Sequence, residues 1–307
     1  MMTLHEREQD VRPGLDDHPE GKATPGADPQ AFKAKAREQW DRSAQGWNDH
    51  TPQIRAWLRT ATDAMLDMAG VRPGGKVLDV AAGAGDQTLD IARRVGPSGQ
   101  VLSTDLSPEI LSLAQANAER AGLRNVTTLV ADGEALPVES GAFDSVVCRL
   151  GLMLFPEPMR ALRELHRATR RGGGVCVMVF GRPDRNPCIT TLMATALKHA
   201  GLPPPDPSQP GGLLSLGRPG LLDQMFKDAG FHAVATTTVD APFRLPSARH
   251  YIDFVRSSAS PIQQILGRLD PEAARAAWRD IETRLAQFET DGAWIGPNEL
   301  MLTAARR

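Results

Sequence analysis

The amino-acid sequence predicts an α/β protein built on a doubly wound, mostly parallel sheet of seven strands. Short apolar runs alternate along the chain with segments of helical period, and this rhythm is typical of a parallel sheet. The run VCVMVF at 175–180 shows almost no alternation, which is expected of a central strand covered on both faces. A glycine turn with Gly83 and Gly85 follows the first run. Together these observations predict a Rossmann-like fold with helical lid and cover insertions.

Composition and charge narrow the classes of protein. The 307 residues are 41% hydrophobic and 23% charged, with a formal net charge of −2. These values are ordinary for a globular protein with a sizeable core, and they leave no basic stretch for nucleic acid. The polar start offers no apolar signal segment, and no run reaches the roughly 18 apolar residues of a membrane span. We therefore expect a cytoplasmic protein with neither nucleic acid nor membrane as partner, and a homodimer is compatible with the sequence.

The N-terminal 70 residues divide into two parts. Residues 1–29 carry four prolines, many charges and no aromatic residue, a composition that predicts a disordered tail. Residues 30–70 turn to a helical period and are predicted as N-terminal lid helices. Trp40, Trp47 and Trp57 lie on these helices and could offer ring faces to a cation, although packing is the simpler interpretation.

Residues 71–181 carry the clearest alternation of strand and helix and are predicted as the ligand-binding core. A proline opens the second helix of this region, as is common at the first turn. The predicted strands are 76–80, 100–104, 125–130, 143–149 and 175–180, and the predicted helices are 87–95, 108–121 and 158–169.

Beyond residue 181 the rhythm breaks. Residues 182–218 combine a helix near 189–199 with the proline-rich loop 202–212, and such long loops are seldom structural filler. We predict a substrate-cover insertion here, because specificity commonly resides in loops of this kind. Residues 219–307 are predicted as the rest of the core sheet, with a helical cover insertion at about 247–288. Their core elements are the helix 219–229, the strand 231–239 and the final strand 299–304.

The most informative segment is VLDVAAGAGDQ at 77–87, a strand, a glycine turn and a helix start. Glycines let the backbone approach a ligand closely, and the helix N-terminus favours polar ligand groups. Asp105 ends the following strand, 20 residues after Gly85, where an acid can receive ribose hydroxyls. The segment predicts a nucleoside-binding crevice at the carboxyl edge of the sheet.

Two classes of nucleotide could occupy this crevice. A nicotinamide dinucleotide favours G-x-G-x-x-G, and Thr88 stands where the third glycine is needed. Asp79, in the first strand, is expected to place a carboxylate near the crevice, which suits a cationic ligand better than a diphosphate.

With these motifs the sequence resembles the class I S-adenosylmethionine-dependent methyltransferases, and among them the ubiquinone/menaquinone biosynthesis-like branch. LDVAAGAG at 78–85 resembles the first motif of the family, and TDLSPEIL at 104–111 resembles its ribose-binding strand end. ADGEALP at 131–137 resembles the adenine-binding stretch. FDSVVCR at 143–149 resembles the fourth strand, and LHRATRRGGG at 165–174 the approach to the fifth. The core, 71–181, is thereby predicted to bind S-adenosylmethionine.

The resemblance implies a role for each motif. Residues 83–85 line the methionine part, Asp105 accepts both ribose hydroxyls, and Asp132 takes the adenine amino group with the residue after it against the ring. Arg149 and Leu150 border the cofactor near the transferable methyl. The full predicted set of cofactor-binding residues is Asp79, Ala81, Gly83, Ala84, Gly85, Asp105, Leu106, Asp132, Gly133, Arg149 and Leu150.

The resemblance implies methyl transfer by in-line displacement to a small organic acceptor at O, N or C, in secondary or specialised metabolism, leaving S-adenosylhomocysteine. Two segments depart from the quinone-specific members: WDRSAQGW at 40–47 replaces a Tyr-Asp segment, and VFGRP at 179–183 lacks the usual acidic residue. Both departures count against a quinone ring as the acceptor. Two other hypotheses stay open, a protein that binds S-adenosylmethionine without methyl transfer and an NAD-dependent oxidoreductase.

No catalytic residue is nominated from the sequence, because displacement at a sulfonium needs no covalent nucleophile. If a base is needed, His50 and His250 are the better placed histidines, while His166 is expected on an exposed helix face. The three cysteines are an odd number and lack CxxC spacing, which predicts reduced thiols and no metal site. Two of them lie in apolar strand runs typical of small core residues, which disfavours thiol chemistry on arsenic. The three are Cys148, Cys176 and Cys188.

Overall fold

The computed structural model describes residues 28–204, 209–258 and 260–307. The strands are β1 (Lys76–Val80), β2 (Gln100–Asp105), β3 (Val126–Val130), β4 (Phe143–Arg149), β5 (Thr169–Phe180), β6 (His232–Asp240), β7 (Phe243–Leu245), β8 (Glu289–Thr290), β9 (Ala293–Gly296) and β10 (Glu299–Arg306). The helices are α1 (Pro29–Asp49), α2 (Thr51–Met68), α3 (Asp86–Val95), α4 (Pro108–Arg120), α5 (Pro158–Ala168), α6 (Pro187–His199), α7 (Leu221–Asp228), α8 (Ala248–Ser258), α9 (Ser260–Leu266) and α10 (Pro271–Leu285).

The main sheet has seven strands in the order β3, β2, β1, β4, β5, β10, β6. β10 runs antiparallel to both of its neighbours, and the other pairings are parallel. The chain moves outward from β1 to β3 and then returns to β4 beside β1, which creates a switch point where ligands of doubly wound sheets bind. The predicted fold class is confirmed.

Helices cover both faces of the sheet, as the continuous apolar strands require. α2, α3 and α4 pack side by side, α2 on β4, β5 and β10 and the other two on β1, β2 and β3. α5 and α7 pack together against β4, β5, β6 and β10. α1 lies across α4 and α8, and α6 packs against α9 and α10. The core is therefore layered helix, sheet, helix, with additional helices above the carboxyl edge.

Most element bounds agree with the sequence predictions, and the differences have local causes. Asp28 caps α1 by accepting the Gln30 N–H at 2.9 Å, so Pro29, predicted as the end of the tail, already belongs to a helix. The remaining tail residues, 1–27, lie outside the described residues. β5 begins at Thr169, six residues before the predicted start at Val175, and takes in the glycine run.

A second sheet of three strands, in the order β7, β9, β8, was not predicted. Its strands have only two to four residues, too few for alternation to show in the sequence. This sheet lies beside the helical stretch α8 to α10, which the sequence does predict.

The three cysteines are free and buried, as predicted. Burial raises the pKa of the Cys148 thiol to about 12, which keeps it protonated and unreactive. Across the described residues, the helices include none with the length and apolarity of a membrane span, and no group of His, Cys, Asp or Glu is arranged to hold a metal. The cytoplasmic location and the homodimer stay predictions.

Candidate functional site

A cavity of about 120 Å³ lies at the switch point, at the carboxyl ends of β1, β2, β3 and β4. The inner face of α1 forms its outer wall. The loops after the four strands form the rest. Its lining residues are Phe32, Lys33, Ala36, Trp40, Trp47, Leu58, Val80, Ala81, Ala82, Gly83, Asp86, Gln87, Asp105, Leu106, Ile110, Ala131, Asp132, Gly133, Glu134, Arg149, Leu150, Gly151, Leu154, Phe155 and Pro156.

The turn after β1 has a backbone that glycine permits. Gly83 and Gly85 have φ values of 60° and 82°, in the left-handed region. A Cβ on Gly85 would lie 2.9 Å from the Cβ of Ala114, so α4 could not pack as closely against any other residue. The turn is thus held open toward the cavity on one side and tight against α4 on the other.

Two residues other than glycine share this conformation at the cavity. Ala81 and Leu150, at the ends of the paired strands β1 and β4, have φ values of 55° and 57°. Left-handed backbone costs such a residue about 1–2 kcal/mol, and strain of this kind concentrates at functional sites. Both residues line the cavity.

Asp79 lies below the cavity and does not line it. Its carboxylate accepts hydrogen bonds from Gln87 Nε2 at 2.5 Å and Thr88 Oγ1 at 2.7 Å, both on the first turn of α3. Burial raises its pKa to about 7. Asp79 therefore fixes α3 to β1 and positions Gln87, which does reach the cavity. Thr88 fills the place where a dinucleotide site would need glycine.

Asp105 ends β2 at the centre of the cavity. Its two carboxylate oxygens accept the backbone N–H groups of Gly83 and Ser107, each at 3.0 Å. Burial raises its pKa, although these hydrogen bonds oppose that shift. Carboxylate oxygens keep further lone pairs, so Asp105 can still accept ligand hydroxyls. Ser107 in turn donates to Asp41 of α1 at 2.5 Å, which ties the lid helix to this loop.

At one end of the cavity, two acids after β3 meet a lysine from α1. Lys33 Nζ lies 2.7 Å from Asp132 Oδ2 and also contacts Glu134 Oε2. The other oxygen of each acid accepts a backbone N–H, Asp132 that of Glu134 at 2.9 Å and Glu134 that of Glu157 at 2.6 Å. A Cβ on Gly133 would lie 2.7 Å from the Phe155 ring, so only glycine fits between the two acids.

At the other end, Arg149 of β4 and Asp86 of α3 form a buried ion pair. One guanidinium nitrogen, Nη2, donates to both Asp86 oxygens, at 2.6 and 2.7 Å, and Nη1 donates to Thr62 Oγ1 of α2 at 3.0 Å. Only 5% and 3% of the Arg149 and Asp86 side chains are exposed. A paired and hydrogen-bonded charge is tolerated in such a place, whereas a lone one is not.

Trp40 and Trp47 of α1 line the cavity in an edge-to-face pair, with ring centroids 6.0 Å apart. Trp47 Nε1 would lie 3.5 Å from a Cβ on Gly83, so its indole stands directly over the glycine turn. Trp57 points elsewhere: its Nε1 donates to the Ala241 carbonyl at 2.7 Å.

The histidines weighed as bases do not line the cavity. His50 bonds Ser257 Oγ at 2.9 Å, and burial lowers its pKa. His250 bonds the neighbouring Ser247 at 2.8 Å. His166 was expected on an exposed face, but it is half-buried and packs edge-on against Phe231. Among the residues that the structure describes, no histidine is therefore nominated as a base.

Of the eleven predicted cofactor-binding residues, those at strand ends come together. Asp79, Ala84 and Gly85 do not line the cavity, because Ala84 packs on Ala44 and Ile110 while Gly85 faces α4. Sequence reasoning missed Lys33, Asp86 and Glu134. The last two stand beside recognised motifs and could have been found there, whereas nothing in the sequence ties Lys33 to residues about a hundred positions away. The predicted residues that line the cavity are Ala81, Gly83, Asp105, Leu106, Asp132, Gly133, Arg149 and Leu150.

The sheet order, the glycine turn after β1 and the acids after β2 and β3 define a class I methyltransferase fold. Residues 53–196 match the model of the ubiE/COQ5 methyltransferase family. This match confirms the resemblance to class I S-adenosylmethionine-dependent methyltransferases of the ubiquinone/menaquinone branch.

Individual relatives agree with the family match. The ubiquinone/menaquinone biosynthesis C-methyltransferase UbiE of Pasteurella multocida is 37% identical over 134 residues, which are 43% of this chain and 48% of that protein. The chain spans about half the length of the curated relatives it matches.

Solved structures share the fold at low sequence identity. The YcgJ protein of Bacillus subtilis is 18% identical with a TM-score of 0.53, covering 81% of this chain and 99% of that one. The [4+2]-cyclase SpnF is 21% identical with a TM-score of 0.52, covering 87% and 95%. Since one of these neighbours bears the name of a cyclase, the fold alone does not determine the reaction.

Proposed function

We propose that this protein is a methyltransferase that uses S-adenosylmethionine to methylate a small organic acceptor and releases S-adenosylhomocysteine. One observation carries the proposal: Asp105, Asp132 and the glycine turn converge on a single cavity within the segment that matches the methyltransferase family. The nicotinamide alternative is not favoured, because Thr88 is packed where a dinucleotide needs glycine.

The lining residues fit the parts of this cofactor. Asp105 offers carboxylate oxygens at the centre of the cavity for ribose hydroxyls, and Asp132 offers one at the lysine end for an amino group. When bound, the cofactor supplies a methyl group activated by a sulfonium charge. At the other end, the Trp47 ring can stabilise that positive charge through a cation–π contact, since the Asp86 carboxylate is already neutralised by Arg149.

The acceptor end is mainly apolar around one neutralised ion pair. Leu58, Leu150 and Leu154 line the cavity near Arg149 and Asp86. Such a wall favours a small, mostly apolar and planar acceptor, and the residues would act mainly by aligning it with the methyl group. The names of the curated relatives favour carbon as the methylated atom and a quinone precursor as the acceptor. The sequence departures at 40–47 and 179–183 count against a quinone ring, but we give the relatives more weight and adopt carbon methylation.

The test is a calorimetric titration with S-adenosylmethionine and S-adenosylhomocysteine, with NAD as control, followed by mass analysis after incubation with hydroquinone, phenol and amine acceptors. We expect micromolar binding of the two sulfur nucleosides and a product heavier by one methylene on the hydroquinone. Binding of NAD alone would favour the oxidoreductase. Sulfur-nucleoside binding with no methyl loss to any acceptor would favour a non-methylating protein.

A further inference from the structure

Lys33 is a buried cation in the wall of the cavity, and it comes from α1. This helix precedes the matched segment 53–196, so the family comparison assigns it no part in the site. Only 8% of the Lys33 side chain is exposed, and its Nζ lies 2.7 Å from Asp132 Oδ2. A lysine is rarely buried unless its charge is paired.

Its ammonium has a donor to spare. Burial tends to lower the pKa of Lys33, but the hydrogen bonds and charges of Asp132 and Glu134 more than offset this, and the pKa is raised. The group is therefore protonated near neutral pH and carries three N–H donors. Asp132 accepts one of them and Glu134 Oε2 contacts the ammonium as an ion-pair partner, and within 28–204, 209–258 and 260–307 Nζ has no other acceptor.

A donor directly beside an acceptor matches the edge of adenine. That base presents an amino group that donates and, next to it, a ring nitrogen that accepts. We propose that Lys33 and Asp132 together read this edge, with Lys33 donating to the ring nitrogen while Asp132 accepts from the amino group. This inference rests on the proposed function, because it takes the bound nucleoside to be that of S-adenosylmethionine.

Glu134 makes the arrangement rigid. Its Oε1 is held by the Glu157 N–H at 2.6 Å, and its Oε2 contacts Lys33. Only 1% of its side chain is exposed, and in the described part of the chain Oε2 has the ion-pair contact with Lys33 and no hydrogen-bond donor. Glu134 is thus a positioning residue that keeps the ammonium beside Asp132, and α1 takes part in nucleoside recognition as well as in closing the cavity.

The experiment compares ligands that differ by one ring nitrogen. Calorimetric titration measures the Kd of S-adenosylhomocysteine and of its 1-deaza and 7-deaza analogues. Two ring nitrogens flank the amino group of adenine, and each analogue replaces one of them by carbon. The proteins are the wild type, Lys33→Met, which keeps the length of the side chain and removes its donors, and Lys35→Met as the matched control. Lys35 is exposed on the same helix.

We expect wild type and Lys35→Met to bind one of the two deaza analogues about tenfold more weakly than the parent nucleoside, since a charged donor is then left unpaired. Lys33→Met should bind the parent nucleoside about tenfold more weakly than the wild type does. It should bind the parent and that analogue with equal affinity. Equal wild-type affinity for all three ligands, or undiminished discrimination in Lys33→Met, would overturn the inference.

A second variant guards against misfolding. If Lys33→Met does not fold, the double variant Lys33→Met, Glu134→Gln removes one charge of each sign, and it should show the same loss of discrimination. A wild type that binds none of the three ligands would instead overturn the proposed function itself, so the two failures are distinguishable.

Discussion

The two ends of the cavity balance their charges in different ways. The end that we propose receives the methyl group, called the methyl end, holds Asp86 of α3 and Arg149 of β4, and each neutralises the other within the core. The opposite end, proposed for the nucleoside, is called the nucleoside end. At the nucleoside end, Asp132 and Glu134 follow β3 and share one ammonium, which α1 supplies from outside the core. The ion pair at the methyl end needs no residue of α1, although Trp47 of α1 lines the cavity there, whereas the charge balance at the nucleoside end needs Lys33 of α1.

This difference separates stability from recognition. Substitutions at the methyl end should mainly lower the free energy of unfolding, because they leave a buried charge in the core without its partner. Substitutions at the nucleoside end should mainly change ligand affinity and the opening of α1.

The largest effect is expected for Arg149→Met, which leaves Asp86 buried without its partner. Breaking a buried pair costs about 3–5 kcal/mol, and chemical denaturation will measure the loss. Arg160→Met is the matched control, because its pair with Glu157 is exposed and should contribute at most about 1 kcal/mol. Similar losses for the two variants would remove the distinction between the ends.

Asp79→Asn tests the support beneath the methyl end through pH. With a folded pKa of about 7 against 3.8 for the free side chain, the folded chain retains a proton that the unfolded chain releases. Stability conferred by this proton is full below about pH 4 and is lost as the pH rises to about 7. The variant should therefore gain stability relative to wild type across that window, by at most about 4 kcal/mol at 1.36 kcal/mol per pKa unit.

Asp144→Asn provides the control of opposite sign. The Lys76 N–H and Arg170 lower the pKa of Asp144, so its contribution is present above the unfolded pKa and is lost as the pH falls. Denaturation curves at several pH values should show the two variants diverging from wild type in opposite directions. A constant difference for Asp79→Asn between pH 4 and 8 would contradict the raised pKa.

Asp105→Ala tests the shared middle of the cavity. Removing hydrogen bonds to a charged acceptor costs about 1.5–3 kcal/mol, so S-adenosylhomocysteine should bind roughly ten- to a hundredfold more weakly in calorimetry. Glu109→Ala, an exposed carboxylate four residues later, is the control and should bind normally. Unchanged affinity in Asp105→Ala would refute the ribose assignment.

The smallest effect is expected for Asp41→Ala, which removes the hydrogen bond between α1 and Ser107. The Asp41 carboxylate is 27% exposed, so water competes for it, and one such bond contributes about 0.5–1.5 kcal/mol rather than the full value of a buried charged bond. Hydrogen exchange should show faster exchange in α1 and no change in β4 and β5, because local opening is measured separately from global unfolding. Glu38→Ala on the same helix should leave α1 unchanged, and equal acceleration in all three elements would place α1 in the core.

The core could be predicted from sequence because its signals are local. β1 and β4 begin and end at the predicted residues, since each is a short, mostly apolar and β-branched segment followed by a turn. The cavity residues Asp105 and Asp132 follow strands, and parallel strands bring their carboxyl ends to one edge.

The rest depends on contacts that no local pattern records. Lys33 and Asp132 are 99 residues apart in sequence, and a lysine on a polar helix gives no sign of burial. Asp79 was predicted near the crevice, but its side chain faces α3, because Gln87 and Thr88 provide two hydrogen-bond donors below the cavity. The short strands β7, β8 and β9 follow from tertiary packing, which overrides weak propensity.

The predicted cover consists of two separate stretches of chain, 182–218 and about 247–288. α7, β6 and β7 lie between them. α6 from the first stretch packs on α9 and α10 from the second, and His199 meets Asp280 at 3.0 Å across that contact. Grafting one stretch from a relative would leave the other stretch packed against side chains that do not complement it. A chimera that exchanges either stretch must therefore transplant both as a matched pair to keep this contact.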